Sequence, residues 1–137
     1  MGSPNSGPFS YVYGSTQLYT EALELKLDSN EIVSEFSFSD KEEAIKGLNK
    51  VRKELRIRFK RFVKKTGSKY KSFFIKEYKN GLVAIGATKP GNVPKSYAVY
   101  TQICYKDGTI RAAFKDTVDN KGNRVHRHIK YPIKEEE

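Results

Sequence analysis

The stretch FFIKEYKNGLVAIGAT, residues 73–88, carries the clearest structural signal in this sequence. Apolar residues alternate with other residues on both sides of Asn80-Gly81, a dipeptide that favours the two-residue turn of a β-hairpin. We therefore predict one strand over Phe73–Tyr78 and a second, antiparallel strand over Leu82–Thr88.

Downstream of this hairpin the same signals recur, and each connection contains Gly together with Asp, Asn or Pro. Asp107-Gly108 predicts a second hairpin turn, and a longer turn precedes a last strand. Five strands in direct succession are typical of an antiparallel meander. The predicted elements are a loop over Lys89–Pro94, strands over Tyr97–Tyr105 and Ile110–Lys115, a turn over Asp119–Asn123 and a strand over Arg124–Tyr131.

Shorter alternating stretches precede the hairpin. Three leucines alternate with charged residues over 18–27 and predict a half-buried strand. Further strands are predicted over 8–13 and 32–38, the latter with a break in its alternation at Val33-Ser34. The sequence therefore predicts about seven or eight strands in all.

Between these two groups of strands, the apolar period changes from two to about 3.6. Ser39 and Glu42 form a capping-box pattern, and Gly67 is well placed to end a helix. We predict one long amphipathic helix over about 39–66, although the alternation within 55–60 would also suit a strand. The predicted apolar stripe comprises Ala44, Ile45, Leu48, Val51, Leu55, Phe59, Phe62 and Val63.

These elements predict a single α+β domain over residues 8–133, with the antiparallel sheet packed on the one long basic helix. Residues 1–7 are expected to form a flexible leader and residues 134–137 a frayed acidic C-terminus. No apolar run is long enough to span a bilayer, and a single cysteine fits a reducing compartment. We expect an intracellular protein, in the cytoplasm or nucleus of a host cell, with no membrane association.

The net charge of +10 is concentrated in one segment. Residues 41–70 hold 12 Lys/Arg and 3 Asp/Glu, a net of +9, whereas residues 1–40 carry a net of −5. Like charges on one helix face repel, so this face indicates a polyanion such as a phosphate backbone, with a merely solvated surface as the alternative. The candidate helix residues are Lys46, Lys50, Lys53, Lys60, Arg61 and Lys64.

A second candidate surface lies on the predicted sheet. Its inner face would comprise Phe73, Ile75, Val83, Ile85, Val99, Ile103, Ile110, Phe114, Val125 and Ile129. The opposite, solvent-exposed face interleaves aromatic rings with cations, which suits single-stranded nucleic acid because bases stack and phosphates pair. An ordinary solvated sheet face is the alternative. The candidate residues on this face are Lys76, Tyr78, Tyr100, Arg111, Lys115, Arg124, His126, His128 and Lys130.

Catalytic signals are weak. His126 and His128 are two residues apart on a predicted strand, as in two-histidine metal sites, but no carboxylate is clearly placed to join them. Cys104 lies in an apolar strand context and is interpreted as a small core residue. We therefore predict no catalytic residues, no metal, no cofactor and no enzymatic activity.

The sequence thus favours a small non-enzymatic nucleic-acid-binding protein whose affinity comes from phosphate contacts. DNA or RNA, single-stranded or duplex, all remain open. One alternative is a viral or mobile-element inhibitor or adaptor that binds a host protein through its basic surface. A second is a metal-dependent single-strand nuclease that uses the His-x-His pair. A monomer and a homodimer are both open.

Overall fold

One open sheet of six antiparallel strands is the main feature of the computed structural model, which describes residues 20–131. The strands follow one another across the sheet in chain order, which confirms the predicted meander and the α+β class. The predicted leader, the strand over 8–13 and the acidic C-terminus lie outside the described residues. The strands are β1 (Ile32–Phe38), β2 (Ser72–Tyr78), β3 (Val83–Pro90), β4 (Tyr97–Cys104), β5 (Ile110–Val118) and β6 (Arg124–Tyr131).

Both predicted hairpins are confirmed, and a glycine with positive φ closes each turn. In the β2–β3 turn, Gly81 has a φ of 94°, and its N–H donates to the Tyr78 carbonyl. The Asn80 side chain accepts a hydrogen bond from the Leu82 N–H. Gly108 occupies the equivalent place in the β4–β5 turn with a φ of 88°. Glycine reaches this left-handed region without the steric cost of a Cβ atom.

Residues 20–28 form a helix, α1, so the strand predicted over 18–27 is wrong. This also makes the predicted count of seven or eight strands wrong for residues 20–131, which contain six. Leu23 and Leu27 are buried, whereas Leu25 is 68% exposed. Residues four apart share a helix face, so two of the three leucines meet the sheet and the alternation is incidental. The two leucines cluster with Leu82, Ala84, Ile103, Ala112 and Phe114.

The one long helix predicted over 39–66 is also wrong, because the chain leaves helical geometry at Val51, where ψ is 140°. Upstream, the Phe38 ring lies so close to Gly47 that an added Cβ atom would come within 2.2 Å of it. Glycine is a weak helix former, and here its lack of a side chain admits the ring. The segment comprises α2 (Lys41–Lys46), 3-10 turns at Gly47–Lys50 and Lys53–Leu55, and α3 (Arg56–Lys65).

The start of this helical segment differs from the prediction by one residue. The N-cap is Asp40 rather than Ser39, and its side chain accepts a 2.8 Å hydrogen bond from the Glu43 N–H. At the other end the C-cap is Thr66, directly before Gly67, and its hydroxyl donates to the Val63 carbonyl at 2.8 Å. Ser and Asp are comparably good N-caps, so residue preference does not choose between neighbours.

Helices pack on both faces of the sheet, so the prediction that one whole face is exposed to solvent is wrong. We name the two faces after the helix that covers each. The α3 face has a core that includes Phe59, Phe62, Phe73, Ile75, Val83, Ile85, Ala87 and Cys104. The α1 face has a core of Leu23, Leu27, Leu82, Ala84, Ile103, Ala112 and Phe114.

The predicted phase of the side chains is confirmed for β2 and β3 but wrong for β4, for Phe114 of β5 and for Ile129 of β6. The predicted inner-face residues of β2 and β3 lie together on the α3 face. Ile103, which was expected to join them, pairs with Ala84 and belongs to the α1 face, as does Phe114. Because both faces are covered, β4 carries apolar side chains in both phases, and alternation does not assign them.

Candidate nucleic-acid interface

One buried arginine joins α1 to β5 and β6 on the α1 face. The Arg127 guanidinium donates 2.7 Å hydrogen bonds to both oxygens of Glu24 and both oxygens of Asp116. It also lies 4.1 Å from the Phe114 ring centroid, and its side chain is 3% exposed. Burial lowers the pKa of Arg127, but the two carboxylates raise it by more, so the group stays charged. Arg127 is a structural cation.

Two candidate cations of the predicted sheet surface are also paired with acids. Arg124 Nη1 lies 3.3 Å from Glu24 Oε1, beside the Arg127 contacts. Lys76 Nζ lies 3.9 Å from Glu35 Oε2 and 5.1 Å from the Phe74 ring centroid. These pairs connect β6 to α1 and β2 to β1, so both side chains already have intramolecular partners.

Tyr78 and Arg111 are likewise engaged on the α1 side. Tyr78 packs against the α1-face core. Burial is the main cause that raises the pKa of Tyr78, followed by the charges of Asp28 and Glu35. Arg111 donates a 3.3 Å hydrogen bond to the hydroxyl of Tyr105, whose ring packs against the same core. The structure therefore separates these two residues from the candidates on the α3 side.

The helix α3 presents three of the predicted cations to solvent, namely Lys60, Arg61 and Lys64. Among residues 20–131, no acidic side chain lies within 4.0 Å of any of them. Three arginines in the same segment have structural roles instead. They are Arg52, which donates to Glu77 at 2.8 Å, Arg56, which donates to the Val51 carbonyl at 2.8 Å, and Arg58, which donates to the Gly108 carbonyl at 2.9 Å.

The other predicted helix cations precede α3. Lys46 lies on α2, 3.8 Å from Glu42 Oε2, and Lys50 and Lys53 lie on the 3-10 turns. All three are exposed. Because the chain is extended at Val51, a projection at 100° per residue does not extend across the break. The structure therefore does not place them on one continuous helical stripe with the α3 cations.

A second group of cations lies on the part of the α3 face that β5 and β6 form. Lys115 and His128 are Cα partners, and His126 projects from the same side as His128. Burial is the main cause that lowers the pKa of Lys115, and the nearby charges of Lys89 and Lys130 lower it further. Positive charge is thus crowded at this place on the sheet.

Lys89 belongs to this group, and the sequence prediction missed it. The segment Lys89–Pro94 was predicted as a loop, but β3 continues to Pro90, and Lys89 pairs with Ala98. Its ammonium lies 5.1 Å from the Tyr70 ring centroid. The alternation through Ala87 to Lys89 is the signal that would have placed it on the α3 face, had the predicted strand continued that far.

Tyr100 is partly buried under α3, so the prediction that its ring projects from a solvent-exposed face is wrong. The Tyr100 and Phe62 ring centroids lie 5.2 Å apart, and Tyr100 packs against the α3-face core. The cause is the reversed phase of β4, which places Tyr100 under α3. One of the two predicted platforms for base stacking is therefore part of the fold.

The groups considered for catalysis at the sequence level are the two histidines of β6 and Cys104. Within the described part of the chain, no three His, Cys, Asp or Glu side chains form a group that could hold a metal ion. The Cα partner of His128 is a cation, Lys115. Cys104 is fully buried, and burial raises the pKa of its thiol to about 12. The nucleophilic thiolate is therefore disfavoured at neutral pH.

Comparisons with protein-family models, with curated proteins and with solved structures find no match in any of the three. Within residues 20–131, no helix is both long enough and apolar enough to cross a membrane. The arrangement of this chain's own residues is therefore the basis for assigning a function.

Proposed function

We propose that the protein is a small non-enzymatic nucleic-acid-binding protein that contacts phosphate groups through the α3 side. One observation carries this proposal: Lys115 lies partly buried beside Lys89 and Lys130, and no acidic side chain within residues 20–131 is within 4.0 Å of it. We define the basic surface as Lys60, Arg61, Lys64, Lys89, Lys115, His126, His128 and Lys130.

Crowding of like charges costs free energy, so it needs either a compensating acid or an anionic ligand. The acids of the early part of the chain do not supply the compensation, because several of them pair with cations on the α1 side or at the β1 edge. These acids are Glu21, Glu24, Glu31 and Glu35. A phosphate backbone would neutralise the basic surface and release its own counterions.

The contacts we propose are mainly to phosphates rather than bases. Tyr100 packs against Phe62 and the α3-face core, and Tyr78 packs against the α1-face core, so both rings are only partly exposed for stacking on a base. Phosphate contacts carry no direct sequence information. We therefore expect affinity that depends strongly on salt and only weakly on sequence.

The test is a fluorescence anisotropy titration with single-stranded DNA, duplex DNA and RNA. Contacts to several phosphates predict that affinity falls by orders of magnitude between about 50 mM and about 200 mM salt. Affinity that does not change with salt would contradict a phosphate-driven interface. The slope of log affinity against log salt, about −0.9 per phosphate on a duplex, gives the number of contacts.

A pair of matched variants tests the location of the interface. Lys60→Glu with Lys64→Glu should weaken binding by at least about a hundredfold, because two phosphate contacts become repulsive. Lys26→Glu with Lys79→Glu changes the net charge equally but lies away from the basic surface, and should weaken binding less than about threefold. Equal losses in the two variants would show that net charge alone, rather than this surface, attracts the ligand.

One observation favours a second candidate, a protein that binds an acidic protein partner. Ile57 on α3 is 68% exposed and lines a cleft of about 340 Å³ whose charged residues are Arg58, Arg61, Glu54 and Asp107. An exposed branched side chain adds nothing to phosphate contacts, whereas protein interfaces combine apolar anchors with arginine. Absence of binding to all three nucleic acids at about 50 mM salt would favour this inhibitor or adaptor role.

A further inference from the structure

A cleft of about 530 Å³ opens beside β3, β4 and β5, between the β3–β4 loop and the β5–β6 turn. This volume is in the range of sites that hold small ligands and cofactors. Both lysines and apolar side chains line it, and we name it the lysine cleft. The lining residues that matter here are Lys69, Lys89, Lys115, Val93, Tyr97 and Val125.

The apolar part of the lining is not explained by phosphate contacts along a strand. Val93 is 56% exposed, Tyr97 39% and Val125 60%. Seven large hydrophobic side chains are exposed among the described residues, and three of these seven line this one cleft. Exposed apolar side chains that lie together beside cations suit a ligand that has both an anionic group and an uncharged group.

The charged part of the lining is held in place. The Lys89 ammonium lies over the Tyr70 ring, and Lys115 lines the same cleft. One acid, Asp119, also lines the cleft, and its Oδ1 accepts 2.9 Å hydrogen bonds from the N–H groups of Lys121 and Asn123 in the β5–β6 turn. No acidic side chain of residues 20–131 lies within 4.0 Å of either ammonium group, so both are left for a ligand.

We infer that the lysine cleft binds a phosphomonoester dianion, the terminal phosphate of a nucleic-acid strand or of a free nucleotide. This inference rests on the proposed function and deepens it. Two adjacent ammonium groups match a monoester, which carries close to two negative charges at pH 7, better than an internal diester, which carries one. Val93, Tyr97 and Val125 would then contact the attached sugar or base.

The experiment compares a short single-stranded oligonucleotide with a 5′-phosphate, with a 3′-phosphate or with hydroxyl ends, and uses adenosine monophosphate as a competitor. A terminal phosphate should tighten binding about tenfold at low salt. Lys89→Gln with Lys115→Gln should abolish this difference, so that the phosphorylated and unphosphorylated strands bind equally, each more weakly than they bind the wild type because two cations of the basic surface are lost. Lys26→Gln with Lys79→Gln, the matched control, should keep the difference. Thermal unfolding checks that each variant is folded.

The outcomes separate the inference from the proposed function. Oligonucleotides that bind with no effect of a terminal phosphate would overturn the cleft inference and leave the proposed function standing. Binding of adenosine monophosphate with no binding of any oligonucleotide would overturn the proposed function and identify the ligand as a free nucleotide. If adenosine monophosphate competes only at concentrations far above that of the oligonucleotide, the phosphate that the cleft binds is the one at the strand end.

Discussion

The two faces of the sheet use the same residue types for different purposes. On the α1 face, Arg127 and Arg124 pair with carboxylates of α1. On the α3 side, Lys60, Lys64 and Lys115 have no acidic side chain within 4.0 Å in the described range 20–131. A cation that is satisfied within the chain stabilises the fold, whereas an unsatisfied and crowded cation is available to a ligand. The partner of a charge, more than its residue type, therefore distinguishes structure from function.

The largest expected effect tests the structural side of this comparison. Arg127→Met should lower the free energy of unfolding by about 3–5 kcal/mol, because it leaves Glu24 and Asp116 without their buried partner. Urea denaturation measures the loss. Arg124→Met is the control and should cost less than about 1 kcal/mol, because this pair is more exposed. Equal unfolding midpoints for Arg127→Met and the wild type would refute the structural assignment.

A second prediction concerns the interior of the α3 face. Tyr100→Ala should lower the free energy of unfolding by about 2 kcal/mol, because it removes the ring that packs on Phe62. Tyr100→Phe keeps the ring and should cost much less. Thermal or urea unfolding measures both variants. Tyr100→Ala protein that is as stable as the wild type but binds nucleic acid more weakly would show that the ring contacts the ligand.

A third prediction tests whether water reaches the Cys104 thiol in the α3-face core. Burial raises the pKa of the Cys104 thiol from about 9 to about 12, so the unfolded chain loses this proton first as pH rises. Stability from this group is therefore complete below pH 9 and falls between pH 9 and pH 12, by about 1 kcal/mol at pH 10. Between pH 8 and pH 10, the free energy of unfolding of the wild type should fall by about 1 kcal/mol more than that of Cys104→Ala. Urea denaturation at the two pH values measures both. Parallel losses in the two proteins would show a hydrated thiol.

The smallest expected effect compares the two faces in binding. Lys64→Gln should weaken nucleic-acid binding about threefold to tenfold and reduce the salt slope by about one phosphate contact. Lys76→Gln, on the α1 side, should change the affinity less than about twofold, because Lys76 is paired with Glu35. Anisotropy titrations at two salt concentrations measure both. A larger loss of affinity for Lys76→Gln than for Lys64→Gln would assign the interface to the α1 side.

Local turn chemistry made the sheet predictable from sequence. Asn80-Gly81 and Asp107-Gly108 each determine a turn within four residues, so both hairpins could be predicted without knowledge of the rest of the chain. The structure confirms these two hairpins and the last strand, β6. Even the break in alternation at Val33 corresponds to a register shift between Ile32 and Ser34 in β1. These features depend on neighbours in sequence, and the sequence contains them directly.

The helices were less predictable because tertiary contacts decide them. The Phe38 ring packs against Gly47, and this contact joins β1 to a segment whose periodicity suggested an unbroken helix. The three leucines around residue 25 fit two periods, and only the position of the sheet selects the helical one. The same cause reversed the phase of β4, because α1 supplies a second covered face.

For the same reasons, the exposure and pairing of the candidate cations were only partly predictable from sequence. Lys60, Arg61 and Lys64 were predicted as exposed, and the short helix α3 does expose them. The pairing of Arg124 with Glu24 crosses 100 residues of sequence, so local reasoning could not remove Arg124 from the candidates. Lys89 was missed because β3 runs further toward Pro90 than the turn residues suggested.

The strand order also bears on the path by which the chain folds. From β2 to β6, each β-pairing joins neighbours in sequence across a short connection, so this part of the sheet can grow one hairpin at a time, which favours rapid folding. The helix α1 differs, because the contact of Glu24 with Arg127 closes a separation of 103 residues. We therefore expect α1 to dock after the sheet has formed, as the closing step. Substitutions such as Leu23→Ala should then speed unfolding and leave the folding rate almost unchanged.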